Sequence, residues 1–250
     1  MPATTTPGAA VEWMAPPSAL SDRIDFLLWQ PRGTAEAREH AVAPDANVDL
    51  LLELSDSSCR AWLHGPVTRL THFRTRAECG YCVVHFHPGA VPALVDASAA
   101  ELVDASVEVR RVGRLSVDEL GERLSQAGSG ARRQELLGEA LGSMRWPLLD
   151  TFDRAWRHMV ARGEMPTVAE LAGVLHLSPR TLERAFQERL GLSPRMFKRI
   201  FRLQRALEAL RSEPVRSLAE VALASGYADH AHLTREFRSL VGQTPSQLRG

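Results

Sequence analysis

Residues 217–245 read SLAEVALASGYADHAHLTREFRSLVGQTP, and residues 167–194 read TVAELAGVLHLSPRTLERAFQERLGLSP. The two stretches are copies of one pattern at an offset of 50 residues, which becomes 51 after a single inserted residue. Both copies open with a capping box, in which a hydroxyl and a carboxylate three residues later satisfy free amides at a helix start: Thr167 with Glu170, and Ser217 with Glu220. The repeat predicts the same local structure twice.

Each copy continues as a short apolar-faced helix, a tight turn and a second helix. In the second copy Gly226 can take the left-handed backbone of a sharp helix exit. In the first, Ser178 can cap the next helix with Pro179 at its first position. The second helices are predicted over Pro179–Leu190 and about His230–Leu240, and Gly191 and Gly242 end them. Helix, short turn and helix, twice over, indicate two helix-turn-helix units, at about 167–190 and 217–241.

The outward faces of the two second helices carry side chains that can bind base edges and phosphates. They are Arg180, Thr181, Arg184 and Gln187 in the first copy, and His230, His232, Thr234, Arg235 and Arg238 in the second. An ordinary helical bundle with an accidental repeat would not need them. Glu183, on the same face, could accept from cytosine or only pair with Arg180 or Gln187.

The second copy resembles the C-terminal signature of AraC/XylS-type regulators, through Gly226-Tyr227-Ala228-Asp229, Leu233 to Arg238, Gly242 to Pro245, and Arg249. The first copy, from Leu171 to Gly191, is similar to the first unit of the same module. The resemblance implies a bacterial transcription regulator that binds double-stranded DNA in the cytoplasm, associated with the nucleoid, and contacts RNA polymerase. It also implies an N-terminal domain that senses a small molecule or dimerises; an effector-independent activator is the alternative.

Pro194–Leu210 is predicted to be one continuous helix that connects the two units rigidly. Its apolar face is broad, and its polar side carries Arg195, Lys198, Arg199, Arg202 and Arg205. Most such charges form a solvated face, but some can touch the DNA backbone, and Lys198 is a candidate for this role.

The first 145 residues are predicted to form an α+β domain, a small sheet with flanking helices, followed by the all-α domain at 146–250. The strands are expected at Val48–Leu54, Ala61–His64, Val67–Phe73 and Tyr81–Phe86. Helical segments are expected at Val91–Val95, Ala99–Val103, after a capping box at Ser116–Glu119, at Arg132–Met144 and at Pro147 to about Ala161. Residues 43–50 and 86–90 are similar to an N-terminal domain found in a subset of AraC-type regulators.

One cluster in this domain contains four soft-metal ligands within nine residues, namely Cys79, Cys82, His85 and His87. Because side chains alternate along a strand, Cys82 should point away from both histidines, which disfavours a zinc site. A redox pair of Cys79 and Cys82 and a redox- or metal-responsive regulator stay open as alternatives. Buried structural cysteines are the favoured interpretation, with no metal and no cofactor.

The charge is unevenly distributed although the chain as a whole is neutral. Residues 1–150 hold 14 basic and 20 acidic groups, and residues 151–250 hold 16 and 10, so only the second part is suited to a polyanion. An odd number of cysteines favours a reducing cytoplasm, and neither an export signal nor an apolar stretch of membrane-spanning length is expected. No catalytic motif is found, so the chain is not expected to be an enzyme.

Overall fold

The computed structural model describes residues 11–33, 37, 39–94, 97–146, 150–162, 166–213 and 215–249. Ten strands precede most of the helices in these ranges, and the chain has the predicted α+β class. The strands are β1 (Glu12–Met14), β2 (Ile24–Gln30), β3 (Glu39–Val42), β4 (Val48–Leu54), β5 (Cys59–His64), β6 (Thr71–Arg74), β7 (Gly80–Phe86), β8 (Ser106–Val109), β9 (Arg111–Val112) and β10 (Leu115–Ser116).

The helices belong mostly to the second half of the chain. They are α1 (Val91–Leu94), α2 (Val117–Gln126), α3 (Gly130–Gly142), α4 (Thr151–Arg162), α5 (Val168–Val174), α6 (Pro179–Leu190), α7 (Pro194–Ser212), α8 (Leu218–Ala224), α9 (His230–Val241) and α10 (Pro245–Arg249). Two short 3₁₀ helices cover Ser18–Leu20 and Ala99–Leu102. None of the helices described is both long and apolar enough to cross a bilayer.

Six strands form the main sheet in the order β1-β2-β7-β4-β5-β8, with every neighbouring pair antiparallel. Strands β3 and β6 form a separate two-stranded ribbon, and β9 and β10 form another. Alternation along β4 and β7 sends Leu52 and Cys82 to one face of the sheet, where helices α2 and α3 bury them. The opposite face carries a smaller apolar cluster around Leu51, Cys79 and Tyr81.

The two helix-turn-helix units have separate cores, and α7 contributes to both. Phe197 and Ile200 from the first half of α7 pack with α4, α5 and α6, around buried Leu182 and Phe186. The second half of α7 packs with α8 and α9 through Leu203, Ala206, Leu207 and Leu210. One helix therefore closes two cores in succession, because its apolar face continues over 19 residues.

The local signals of the repeat are present in both copies. The side chains of Thr167 and Ser217 each accept a hydrogen bond from the backbone N–H three residues later, and their own backbone N–H groups donate to the Glu170 and Glu220 carboxylates. Ser178, Ser193 and Asp229 cap α6, α7 and α9. Gly191 and Gly242 end α6 and α9 in the left-handed conformation, at φ of 70° and 73°.

Several expectations for the first half need correction. The predicted strand Val67–Phe73 is strand only from Thr71, because Val67 pairs with Asp45 and the Leu70 N–H donates to Leu240 in α9. Residues 99–102 form a 3₁₀ helix that Ser98 caps. The helix expected from Pro147 begins at Thr151; residues 147–149 lie outside the described ranges. Ser116 caps α2 by accepting from the Glu119 N–H.

The two turns of the units differ at one equivalent position. Gly226 has φ of 80°, and His176, at the corresponding place in the first unit, has φ of 56°. The left-handed conformation costs a non-glycine residue about 1–2 kcal/mol. A Cβ on Gly226 would meet only the Arg202 side chain, at an ordinary contact distance of 3.4 Å.

We predict opposite effects of glycine at the two turns. His176→Gly should raise the free energy of unfolding by about 0.5–1 kcal/mol, since it relieves the left-handed strain at a modest entropic cost. Gly226→Ala should lower it by about 1–2 kcal/mol. Urea denaturation followed by circular dichroism measures both, and a loss of stability in His176→Gly would show that the imidazole itself supports the turn.

Candidate nucleic-acid interface

The outward face of α6 is open to solvent. Arg180, Arg184 and Gln187 are exposed and Thr181 is half-buried, whereas Leu182 and Phe186 point into the core. The Arg184 side chain is 72% exposed, and its Nε lies 3.6 Å from the Glu188 carboxylate. Exposed pairs of this kind contribute about 0–1 kcal/mol, so the guanidinium can leave Glu188 for another anion at little cost.

The outward face of α9 is similarly arranged. His230, Arg235 and Arg238 are exposed, and His232 and Thr234 are half-buried. Among the described residues, no carboxylate lies within 4.0 Å of Arg235 or Arg238. Both arginines are therefore available to a ligand.

Five of the predicted contact residues already have hydrogen bonds within the protein. Two of them are bonded to each other on α9, where Thr234 Oγ1 lies 3.3 Å from His230 Nε2. The other three have bonds at the ends of α6 and α9. Gln187 Nε2 donates to the Gly191 carbonyl at 3.1 Å, which caps the end of α6. Thr181 Oγ1 lies 2.8 Å from Ser178 Oγ at its start. His232 Nδ1 accepts from the Ala228 N–H at 3.4 Å, and its ring packs edge-on against Tyr227. These bonds fix the helix ends, and a DNA contact by these side chains would compete with them.

A basic groove lies between α7 and α9. It is lined by Ser193, Arg195, Met196, Lys198, Arg199, Arg202, His232 and Glu236. Arg199 pairs with Glu236 at 2.8 Å, whereas Arg195, Lys198 and Arg202 have no carboxylate within 4.0 Å in the part of the chain that the structure describes. Burial, together with the positive charge of Arg202, lowers the pKa of Lys198. The groove lies along the helix that connects the two helix-turn-helix units. From the sequence, most of these charges were expected to form only a solvated face.

A buried arginine ties α6 to the N-terminal sheet domain. Arg189 is 5% exposed, and its Nε donates to the Gly89 carbonyl at 3.0 Å. Its Nη1 lies 2.6 Å from an Asp150 oxygen and 3.1 Å from an Asp153 oxygen. Burial alone would raise the pKa of Asp150, but backbone N–H donors and the charge of Arg189 hold it below its usual value. Sequence reasoning missed this cluster, which faces away from the predicted DNA surface.

Three further contacts join the sheet domain to the C-terminal helices. The Leu70 N–H donates to the Leu240 carbonyl at 3.0 Å, and Gln204 Nε2 from α7 donates to the Pro44 carbonyl at 2.5 Å. Gly191 lies so close to the 3₁₀ helix Ala99–Leu102 that a Cβ at position 191 would come within 2.5 Å of the Ala99 carbonyl oxygen. The N-terminal domain therefore touches both helix-turn-helix units and the connector.

The cysteines lie in separate apolar environments. Cys79 packs with Leu51 and Tyr81 on one face of the sheet, and Cys82 belongs to the core on the other face. Burial raises the pKa of the Cys82 thiol to about 12, which keeps it protonated and unreactive. This geometry gives no support to a redox pair of Cys79 and Cys82. Within the described ranges, no three His, Cys, Asp or Glu side chains are grouped for a metal ion.

His85 takes part in a buried charged cluster. Its Nδ1 lies 2.6 Å from Asp49 Oδ1, its Nε2 lies 2.9 Å from the Asn47 amide, and its ring stacks on Phe26. Burial would lower its pKa, but the charges of Asp49 and Asp45 and the hydrogen bond to Asp49 outweigh this effect and raise it to about 9. The sequence signal was the alternation of polar residues at 45, 47 and 49, which places them on one side of the chain.

Comparison with known families divides the chain into two parts. Residues 171–250 match a family described as "Helix-turn-helix domain", and residues 12–108 match one described as "Domain of unknown function (DUF6597)". The first match confirms the resemblance inferred from the repeat, which is that of an AraC-type module.

Relatives named as transcription regulators support the same assignment. The regulator GlxA of Rhizobium meliloti is 40% identical over 82 residues, which cover 33% of this chain and 24% of GlxA. The activator RhaS of Escherichia fergusonii is 28% identical over 148 residues, which cover 53% of each chain. The chain thus spans about half or less of these relatives. Their names are those of regulators and not of enzymes, in agreement with the expectation from the sequence.

One similar solved structure contains DNA. It is the DNA-binding domain of AdpA, a global transcriptional factor, in complex with a target DNA. The two chains are 25% identical with a TM-score of 0.38, and the match covers 40% of this chain and 91% of the other.

We predict that Arg189→Met strongly destabilises the protein. Removing the arginine leaves the half-exposed Asp150 carboxylate without this partner and leaves buried Asp153 with only Arg23, at 3.6 Å, as a cationic partner among the described residues, so we expect a cost of about 2–4 kcal/mol, somewhat below that of breaking a fully buried pair. Arg184→Met, which changes an exposed arginine on the same helix, should stay within about 0.5 kcal/mol of the wild type. Urea denaturation of both variants measures the difference; equal, small effects would mean that the Arg189 cluster contributes no net stability.

We also predict that the free energy of unfolding depends on pH because of His85. Because the His85 pKa is raised in the folded state, protonated His85 stabilises the fold. This stabilisation is fully present below pH about 6.5 and is lost as the pH rises through about 9. The wild type should therefore have a larger free energy of unfolding than His85→Gln at the lower pH. This difference should fall by a few kcal/mol between those two pH values, at about 1.4 kcal/mol per unit of pKa shift. Urea denaturation at a series of pH values measures it. A pH-independent difference would show that His85 is not charged in the folded protein.

Proposed function

Because residues 171–250 are an AraC-type helix-turn-helix domain, we propose that this chain is a sequence-specific DNA-binding transcription regulator. It inserts α6 and α9 into successive major grooves on one side of the same duplex. The observation that carries the proposal is that one continuous connector joins two capped helices, each of which has exposed arginines on its outward face.

The dimensions of α7 suit this arrangement. Nineteen residues at about 1.5 Å each make the connector roughly 28 Å long. With the widths of the two units, that length suits reading helices about 34 Å apart, which is one turn of the duplex. Because α7 packs into both cores, the spacing is held by apolar contacts and not by a flexible linker.

We assign different roles to the basic side chains. Arg180, Arg184 and Arg235 read bases, since a bidentate arginine–guanine pair gives about 1–3 kcal/mol of discrimination. The second-rank contacts are Thr181, Gln187, His230, His232, Thr234 and Arg238. Lys198, with Arg195 and Arg202 in the basic groove, holds phosphates, which fixes the position of the protein without reading sequence.

The N-terminal domain, up to about residue 145, controls the DNA-binding domain in this proposal. Its direct contacts to α6, α7 and α9 support such control, because a change in the sheet domain would be felt by both units. A cavity beside the His85 cluster favours a small-molecule effector over effector-independent activation. Dimerisation through this domain and contact with RNA polymerase belong to the same proposal, as does activity in the cytoplasm at the nucleoid.

To test this assignment, the wild-type protein is first used to select a duplex from a random-sequence pool. The affinities of arginine variants for this duplex are then measured. Arg184→Ala and Arg235→Ala should each weaken binding of the selected duplex by about 5- to 150-fold, which corresponds to 1–3 kcal/mol, and should bind an unrelated duplex nearly as the wild type does. Fluorescence anisotropy measures both affinities. Arg132→Ala, an exposed arginine of α3 paired with Glu135, is the matched control and should change neither.

Two results would contradict this assignment. Equal weakening of Arg184→Ala on both duplexes would make it a phosphate contact and refute base reading by that residue. Failure of the wild type to enrich any sequence, with no fall of affinity in rising salt, would refute DNA binding as a whole. If Z phosphates are neutralised, log affinity should fall with log salt at a slope of about −0.9Z.

A further inference from the structure

A cavity of about 400 Å³ lies between the main sheet and the β3–β6 ribbon. This volume is within the range of small-molecule sites, which is about 300–1,000 Å³. Aromatic rings of Trp13, Phe26 and Phe73 form part of its wall. Gln204 of α7 also lines it, so the connector helix closes one side of the cavity. The cavity is therefore large enough for a ligand of roughly ten heavy atoms.

The carboxylates of this cavity exceed the cations that could neutralise them. Asp45, Asp49 and Asp104 line it, but Asp104 is held by the backbone and hydroxyl of Thr68, and Asp49 pairs with His85. Asp45 Oδ1 accepts from the Asn47 N–H, while its Oδ2 is 3.9 Å from His85 Nε2, beyond hydrogen-bonding distance. Arg69, also in the lining, is exposed at the rim. Asp45 is thus the carboxylate in the wall whose charge is least compensated.

The ionisation behaviour of the wall agrees with this geometry. Burial raises the pKa of Asp45 in spite of the attraction of His85. The Asp45 side chain is half-buried, so a cation in the cavity can reach it and would stabilise its charged form. Both ring nitrogens of His85 face partners of the protein, so His85 is not free to bind an anion.

A second polar atom of the cavity lacks a partner. His64 lines it, and its Nε2 is shielded from solvent with no hydrogen bond in the part of the chain that the structure describes. Burial lowers the pKa of His64, which leaves the ring neutral and one nitrogen able to accept. Buried polar atoms are rarely left unpaired, but this nitrogen is shielded from the cavity as well as from bulk solvent, so it is not a contact for a ligand bound there.

We propose that this cavity binds a small organic cation, with an ammonium group that donates to Asp45 and an apolar body against the aromatic wall. The His85 ring already stacks on Phe26, so the aromatic rings left to such a ligand are Trp13 and Phe73, and cations are attracted to π-systems. The inference rests on the proposed function, which gives the N-terminal domain an effector to sense. An acidic ligand would meet the Asp45 and Asp49 carboxylates, and a neutral one would leave Asp45 without a counter-charge.

The experiment uses three probes that share a phenyl body: 2-phenylethylamine, 2-phenylethanol and phenylacetate. The full-length chain is heated with each probe at millimolar concentration, and its Tm is measured. The amine should raise the Tm by about 2–4 °C, the shift that roughly 1 kcal/mol gives a chain of this size, and the other two should give no shift. Stabilisation by phenylacetate, or an equal shift with all three probes, would overturn the proposal.

Variants locate the binding site of the amine. Asp45→Asn should abolish the shift, and Asp56→Asn, which removes an exposed carboxylate that pairs with Arg32, should keep it. If Asp45→Asn does not fold, Thr71→Trp serves instead, because Thr71 is exposed at the lining and the indole would fill the opening. A shift that survives in Thr71→Trp or in folded Asp45→Asn places the amine elsewhere and overturns the proposal.

DNA affinity of the same preparations separates the two hypotheses. If the amine gives no shift and the selected duplex is still bound, the ligand assignment is wrong and the regulator assignment stands. If the amine stabilises the protein but no duplex is enriched, the proposed function is wrong and the cavity binds a cation for another purpose.

Discussion

The arrangement of the C-terminal half depends on one constraint, which is that α7 must fill two apolar cores with a single continuous face. Phe197 and Ile200 close the first core, and Leu203 to Leu210 close the second. Because both cores are packed around one rigid helix, neither unit can rotate relative to the other without opening a cavity. The separation of the two basic helices is thus a property of a packed core.

The sheet domain adds contacts of a different kind to this rigid pair. The Arg189 cluster is charged and buried, whereas the bonds from Leu70 and Gln204 are single hydrogen bonds at the edge of the N-terminal domain. A buried ion pair is geometrically demanding, since a small displacement leaves charges without partners. The first unit is therefore held to the sheet domain more strictly than the second, and a ligand that moves the residues around Pro44 would act mainly on the connector and on α9.

How far the sequence predicts this structure differs between the halves for physical reasons. In the repeat, the signals are local: capping hydroxyls, prolines at first turns and glycines at helix ends fixed the bounds of α6 to the residue. In the sheet domain, β2 was missed although Ile24–Trp29 is mostly apolar and Pro31 and Gly33 follow the strand closely. The Arg189 cluster and the cavity join residues distant in sequence, such as Gly89 with Arg189 and Asp45 with His64, and no local pattern encodes such contacts. The chosen DNA-contact residues stay predictions, but the side on which they lie was correct, since periodicity separates core from surface.

Lys198 is the only lysine of the 250 residues, and it lies in the groove between α7 and α9. The other basic side chains of the groove are three arginines and His232, which do not form stable amides. The sole side-chain amine of the chain therefore lies on the surface assigned to phosphates, and its lowered pKa leaves a larger fraction of it unprotonated than in an ordinary lysine. Acetylation of a lysine side chain, whether enzymatic or chemical, would therefore remove positive charge from this groove and from no other part of the sequence.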